Sequence, residues 1–504
     1  MTSPHAKTSD GYRRISIDPI TRLEGHGKID IFLDGDGNVA ECFFQVPELR
    51  GFEKFCEGRP VEEMPRLTPR ICGVCPEAHM MAAAKACDAV YGAELPLTAR
   101  LLRELQYNIF YVTDHTTNFY ALAAPDFVMG PTSDPATRNL IGVIGKVGLE
   151  IGREVIKCRA WGHEAAAIFG GKPVNPANAI PGGMSKGLSA QERDRLEEIC
   201  RFMQEFATFT LKLFHDVVLA NPEYVELILK GPYYHETYSM GLVDEKNRVN
   251  FYDGKVRVVD PKGKEFCTYQ PREYAQHVAE RVEPWTYLKF PYLKAVGWKG
   301  FVDGVDSGVY RATPQSRLNV ADGMNSPRAQ EAYEEYFETL TGDRSGKTPV
   351  HHTLAIHWAR VIELLNAAER GLELVRHPAI TDPQAFRVLC DKTPGEGVGI
   401  VEAPRGTLTH HYVTDERGVL QKANLIVGTT NNHAAICMSI KRAAQGLIRK
   451  GVEVTEGVLN MIEMAFRAYD PCFGCATHSL PGRMPLCVRV RDLDGAILAE
   501  RTRG

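Results

Sequence analysis

Cys72-Gly73-Val74-Cys75 and Cys472-Phe473-Gly474-Cys475 each aim two sulfurs at one point, and each is followed by a histidine, His79 and His478. Thiolates select soft metals: zinc, copper(I), iron–sulfur clusters or nickel. The two pairs lie 400 residues apart, whereas a zinc ribbon puts roughly 15–20 residues between its pairs. Loop closure adds about 0.6 kcal/mol per doubling of length, so the longer separation costs only roughly 2.6 kcal/mol more. The two ends can therefore meet, provided the whole intervening fold brings them together. On cysteine spacing alone, structural zinc in a closed tetrahedron, an iron–sulfur cluster and a catalytic metal all remain open.

The elements that must position these pairs are legible as hydrophobic periodicity. Lys28 to Leu33 and Asn38 to Val46 read as strands flanking Asp34-Gly35-Asp36-Gly37, a hairpin turn. After the first pair, Leu101, Leu102, Leu105, Ile109 and Val112 follow helical spacing, continuing to Phe119 and Leu122. A second long helix is predicted over roughly 137–169. A third starts at the capping box Ser189-Ala190-Gln191-Glu192 and runs to about Leu219. Further helices are expected near 353–376, 431–449 and 455–469. Tyr238 to Tyr269 and Gly397 to Val427 read as β excursions, and Gly395-Glu396-Gly397-Val398-Gly399 as a turn between strands rather than a dinucleotide fingerprint. The expected fold is mainly α with β appendages, one large domain over 1–504. Within it lie a β element at 12–50, a helical core at 60–230, a β-rich excursion at 231–300, helices and strands at 326–478, and a C-terminal extension at 479–504.

Composition excludes several function classes. The chain has 504 residues, 44% hydrophobic and 24% charged, with a formal net charge of −4. That balance gives no basic field for nucleic acid, and no apolar run is long enough for a transmembrane segment. Arg13-Arg14 precedes Ile15-Ser16-Ile17-Asp18-Pro19, which is not the long apolar run of a secretory signal. The thirteen cysteines form no disulfide framework, and most of those outside the two pairs read as buried thiols. A reducing, cytoplasmic location is expected.

Four motifs occur in order around the two pairs: Arg22-Leu23-Glu24-Gly25-His26, Arg50-Gly51-Phe52-Glu53, Arg70-Ile71-Cys72-Gly73-Val74-Cys75, and Asp470-Pro471-Cys472-Phe473-Gly474-Cys475. Together they resemble the large subunit of nickel–iron hydrogenases, from about residue 15 to about 486. The stretches Phe55–Pro60, Leu122–Phe127 and Thr429–Asn432 look closest to the cytoplasmic branch, which works with cofactor-reducing or heterodisulfide-reducing partners. The implied fold is a helical bundle burying a bimetallic site.

The resemblance implies roles residue by residue. Cys72 and Cys472 are terminal thiolates on nickel, and Cys75 and Cys475 bridge nickel to an iron bearing carbonyl and cyanide ligands. Soft sulfur suits a nickel that changes oxidation state and keeps an open position for H2. His79 hydrogen-bonds a bridging thiolate. Glu24 is the first proton-transfer group. Arg405 overhangs the open metal face, held by Asp126 and Asp470. Glu53 and His478 are ligands of a second site holding magnesium or iron. Thr429 is assigned to the cyanide side of the iron. Two departures from many relatives stand out: Asn118 where a second histidine is usual, and Asn431 where the membrane-bound branch carries tryptophan.

The implied activity is reversible oxidation of H2. The chain has no further cysteine cluster for an electron relay, so a small subunit carrying iron–sulfur clusters is implied, with further electron-transfer subunits. A maturation protease is implied to cut after His478. In the tail, Leu486 to Arg491 alternates apolar and basic residues and Asp494-Gly495 marks a turn, which reads as a hairpin. The alternatives are an H2-sensing subunit, a structural subunit like those of respiratory complex I, which has lost the metal cysteines, and a zinc-stapled scaffold.

Overall fold

A computed structural model describes residues 6–7, 13–477, 486–491 and 497–503. The architecture is mainly helical with separate small sheets, as the periodicity implies. Strands Lys28–Leu33 and Val39–Gln45 pair antiparallel around the Asp34–Gly37 turn, joined by Arg13–Ile17. Tyr238–Val243, Lys255–Val259 and Glu265–Tyr269 form a second antiparallel set. Glu396–Ala403, Gly406–Thr414 and Leu420–Ile426 form a third. In the tail, Leu486–Arg491 pairs antiparallel with Ile497–Arg503, the expected hairpin.

The core is a layer of long helices. Ile356–Val375 is buried along nearly its whole length between helices Leu97–Thr117 and Ala190–Phe214. The last of these starts at the expected capping box, Ser189 and Glu192 bonding each other's backbone. A helix apolar all round belongs in such a position. Arg360 and Glu363, its most deeply buried charged residues, are therefore conspicuous.

Three local expectations change. The helix predicted over 137–169 is two helices, Leu140–Val147 and Leu149–Gly170, broken at Gly148, whose φ of +103° only glycine adopts freely. The stripe ending at Leu122 leaves α geometry at Asn118, where a wider π-helical turn runs to Ala123. Finally, Gly397 and Gly399 are not in a turn. They lie in strand Glu396–Ala403, against helix Pro76–Tyr91, where a Cβ would sit 2.4 Å from the Ala86 oxygen and 2.2 Å from the Ala82 oxygen. The glycines let the strand abut the helix that begins at the first cysteine pair, and isolated strand glycines do serve such close approaches.

Candidate metal centre

The first pair sits at the mouth of helix Pro76–Tyr91. Cys75 is its N-cap and Pro76 its first residue, a placement that costs no hydrogen bond. The backbone N–H groups of Val74 and Cys75 donate to Cys72 Sγ at 3.2 and 3.0 Å. The second pair opens the short turn Phe473–Ala476. Glu24 anchors that turn through its backbone, bridging to Cys472 and accepting from Phe473 N at 3.0 Å. Thr429 Oγ1 accepts from Cys472 N at 2.9 Å, so Thr429 supports a cysteine's backbone. The N-terminal motif thus lies directly on the C-terminal one.

All four sulfurs are buried and lie within 4.8 Å of one another. Cys72 and Cys472 are 3.3 Å apart, Cys75 and Cys475 3.8 Å, and Cys472 and Cys475 2.7 Å, with no disulfide among them. Burial, together with hydrogen bonding to the other sulfurs, pushes Cys472 well above the ordinary thiol value. Burial opposes ionisation of Cys72 too, but hydrogen bonds from Cys472, Cys475 and Cys75 outweigh it and hold Cys72 well below that value. The sulfurs' mutual hydrogen bonds thus push two thiols of one buried cluster in opposite directions. Binding of a cation deprotonates such ligands, and an all-sulfur donor set fits a soft metal.

Two polar groups flank the sulfurs. Glu24 Oε2 accepts from Cys472 Sγ at 3.0 Å and from Gly474 N at 3.0 Å. Burial raises its pKa against the lowering effect of the Cys472 bond. His79, one turn after Cys75, is buried, and burial lowers it to about 4, so it is neutral. Its Nδ1 lies 3.1 Å from His410 Nε2, and His410 Nδ1 lies 2.6 Å from the Tyr412 hydroxyl. That chain fixes the ring's orientation.

Arg405 occupies a two-residue hairpin turn, Pro404-Arg405, between paired Ala403 and Gly406. Its Nη2 lies 2.9 Å from Asp470 Oδ2, and its Nη1 donates to Asp114 Oδ2 at 2.9 Å. Asp470 takes a left-handed φ of +56° two residues before Cys472, a conformation aspartate tolerates better than most residues. Asp126 does not hold Arg405. It pairs with Arg22 Nη2 at 2.5 Å and Arg467 Nη1 at 3.2 Å, and accepts from Asn460 Nδ2 at 3.0 Å. The reason is helical phase: Asp114 lies in the regular helix, whereas Asp126 follows the π-helical turn. Asp114 was legible only as a carboxylate among buried Phe110, Tyr111 and Val112, where an acid needs a partner.

Glu53 lies on helix Phe52–Cys56 and accepts from Leu425 N at 2.8 Å; burial pushes it up to about 7. His478 lies outside the described residues. Asn118 is buried, and neither of its amide atoms has a hydrogen-bond partner among the described residues. Asn431 donates to the Thr407 and Val427 carbonyls at 2.6 and 2.9 Å, a scaffold role.

Four buried sulfurs, with a carboxylate at one of them and a guanidinium in a hairpin nearby, form a donor set suited to a soft metal. The nickel-dependent hydrogenase family matches residues 50–134 and 153–478, and a HoxL-like family matches 14–49. An F420-non-reducing hydrogenase iron-sulfur subunit from Archaeoglobus profundus is 48% identical over 96% of this chain and 99% of its own. The NAD-reducing hydrogenase HoxS subunit beta of Cupriavidus necator is 38% identical over 97% of this chain and 100% of its own. A solved NAD+-reducing nickel–iron hydrogenase, in its H2-reduced state, superposes with a TM-score of 0.85 at 37% identity, covering 92% of this chain and 99% of that one. The chain belongs to the nickel-dependent hydrogenases, and it is a large subunit of that class.

Proposed function

We propose that Cys72, Cys75, Cys472 and Cys475 hold a nickel–iron centre whose iron carries carbonyl and cyanide, and that the chain cleaves H2 heterolytically and reversibly there. The observation that carries this is the convergence of four buried sulfurs within 4.8 Å beside Glu24. Such a centre supplies a redox-active Lewis acid at which H2 is polarised and from which two electrons leave. Glu24 Oε2 takes the proton from Cys472 Sγ across 3.0 Å. Its raised pKa brings it nearer neutrality, where a carboxyl both accepts and releases protons. The Arg405 guanidinium, fixed by Asp114 and Asp470, places positive charge near the sulfurs. His79 would stand beside the sulfur cluster, its ring held by the His410–Tyr412 chain.

Among the described residues the four-cysteine cluster is the only group of three or more ligating side chains. Electrons therefore pass to a small subunit carrying iron–sulfur clusters, then to further electron-transfer subunits. The middle of the first cysteine loop, Gly73-Val74, is exposed while its sulfurs are buried, so that loop is where a partner's cluster approaches. Glu53 and His478 hold a magnesium or iron ion; a cation there offsets the burial that pushes Glu53 up. A maturation protease removes the segment after His478. No helix of the described residues is long and apolar enough to cross a membrane, and we place the complex in the cytoplasm. The relatives are named as enzymes, which disfavours an H2 sensor.

The test is anaerobic metal analysis with infrared spectroscopy of the native complex. One nickel and one iron per chain, with carbonyl and cyanide bands, are expected. Stoichiometric zinc without those bands would contradict the assignment.

A further inference from the structure

The hairpin that presents Arg405 is gripped by side chains at four successive carbonyls. The Tyr107 and Tyr111 hydroxyls donate to Glu402 O at 2.5 and 2.7 Å. Arg317 Nη1 donates to Ala403 O at 3.2 Å. Arg317 Nη2 and Arg360 Nη1 both donate to Pro404 O at 3.2 Å. Asn432 Nδ2 donates to Arg405 O at 2.8 Å. A two-residue hairpin closes through its own ladder, and because this one is buried its remaining carbonyls take side-chain donors from the surrounding helices.

Of these grips only Arg360 also reaches the second cysteine segment. Its Nη2 donates to Tyr469 O at 3.5 Å, and its Nη1 lies 3.4 Å from Asp470 Oδ2, the oxygen that faces Arg405 Nη2 at 2.9 Å. Arg317, by contrast, is neutralised within its own surroundings by Glu363 at 2.6 and 2.7 Å and Glu402 at 3.0 Å. Arg360 has no carboxylate to itself. It and Arg405 share Asp470, with Asp114 completing the set. Burial, reinforced by repulsion from Arg405, holds Arg360 below the ordinary arginine value.

We propose that Arg360 is a positioning residue for the hydrogenase reaction, fixing the Arg405 hairpin against the Asp470–Cys472 segment so that the guanidinium keeps its place near the sulfurs. This rests on the role given to Arg405 above. The position is a costly one. Arg360 lies on a helix buried along nearly its whole length, where burying a charge is expensive, yet its bonds go to the Arg405 turn and to the Tyr469–Asp470 segment. Its Nε lies buried with no hydrogen-bond partner among the described residues, a cost accepted for the two contacts that cross the site.

The experiment compares the complete, metal-loaded complex with its Arg360→Lys and Arg360→Met variants. Nickel and iron per chain, the thermal midpoint, infrared bands and H2/D2O exchange per nickel are measured together. Metal content is expected to stay near wild type, while the midpoint falls, more for methionine, which leaves Asp470 and two buried carbonyls without this donor. Exchange per nickel falls on the order of 10²-fold, the scale of a ~1 Å misplacement, and the diatomic bands shift. Lysine does not rescue, because a point charge cannot span two carbonyls and a carboxylate. Exchange within about twofold of wild type in either loaded variant overturns the proposal. So does a fall that merely tracks lost nickel, which makes Arg360 structural; if the methionine variant fails to load, the lysine variant decides. Wild type lacking nickel or exchange would instead overturn the functional assignment itself.

Discussion

Two buried clusters of carboxylate and guanidinium lie close together in sequence terms and behave oppositely. In one, Asp126 is enclosed by Arg22, Arg467 and Asn460, and Arg467 also reaches Glu463 and both Thr21 oxygens. Two guanidinia outweigh burial and hold Asp126 below the usual carboxylate value. In the other, Asp114 accepts from Arg405, with Arg360 more distant and Asp470 facing it, and burial pushes it up to about 6. Asp114 Oδ1 and Arg405 Nε are buried with no hydrogen-bond partner among the described residues. The first cluster is saturated and locks the N-terminal motif to the C-terminal helices. The second keeps bonding capacity in reserve beside the four sulfurs, which is what a working site requires and a structural ion network does not.

Variants at the sulfur-facing groups sharpen this contrast most. Glu24→Gln keeps shape and metals but cannot relay a proton. Turnover and H2/D2O exchange per nickel are expected to fall about 10²–10⁴-fold, and wild-type exchange would remove Glu24 from the proton path. Arg405→Lys is expected to cost about 10²-fold, since an ammonium cannot face Asp114 and Asp470 with one planar fork. An unchanged rate per nickel would break the contrast at its centre.

How much of this was legible in the sequence depends on the kind of information each feature needs. The cysteine pairs, the capping box at Ser189 and the strand pairs were readable because each is a local pattern. The joining of Glu24 to Cys472 was legible only through the order of motifs and the family they resemble. Asp114 and Asp126 are both acids on one continuous helical stretch, and the π-helical turn from Asn118 decides which one faces Arg405. No residue type signals that extra winding. Gly397 and Gly399 were misread as a turn because a glycine chosen for close packing looks the same in sequence as one chosen for a bend. Arg360 gave no signal beyond being a charge inside an apolar stripe.

The smallest effect concerns a third kind of buried acid, one held by a neutral partner. Glu77 accepts from Gln106 Nε2 at 2.7 Å, and burial moves it from 4.5 to about 7. A carboxyl raised on folding contributes stability that is full below its unfolded pKa and is lost as pH rises through the folded one. Between about pH 4.5 and 7 that loss amounts to roughly 3 kcal/mol, at ~1.4 kcal/mol per pH unit. Glu77→Gln is therefore expected to flatten the fall in thermal midpoint from pH 5 to pH 8. An identical pH dependence in wild type and variant would show that Glu77 is ionised throughout.

The most direct test of the contrast is H2/D2O exchange per bound nickel in two matched variants, Asp114→Asn and Asp126→Asn. Asp126→Asn leaves two guanidinia short of a partner, so it is expected to lower stability by about 3–5 kcal/mol while the molecules that keep nickel exchange at the wild-type rate. Asp114→Asn is expected to hold its nickel and lose exchange about 10²-fold. Equal exchange per nickel in the two variants, or a loss confined to Asp126→Asn, would contradict the division between a saturated structural cluster and an open working one.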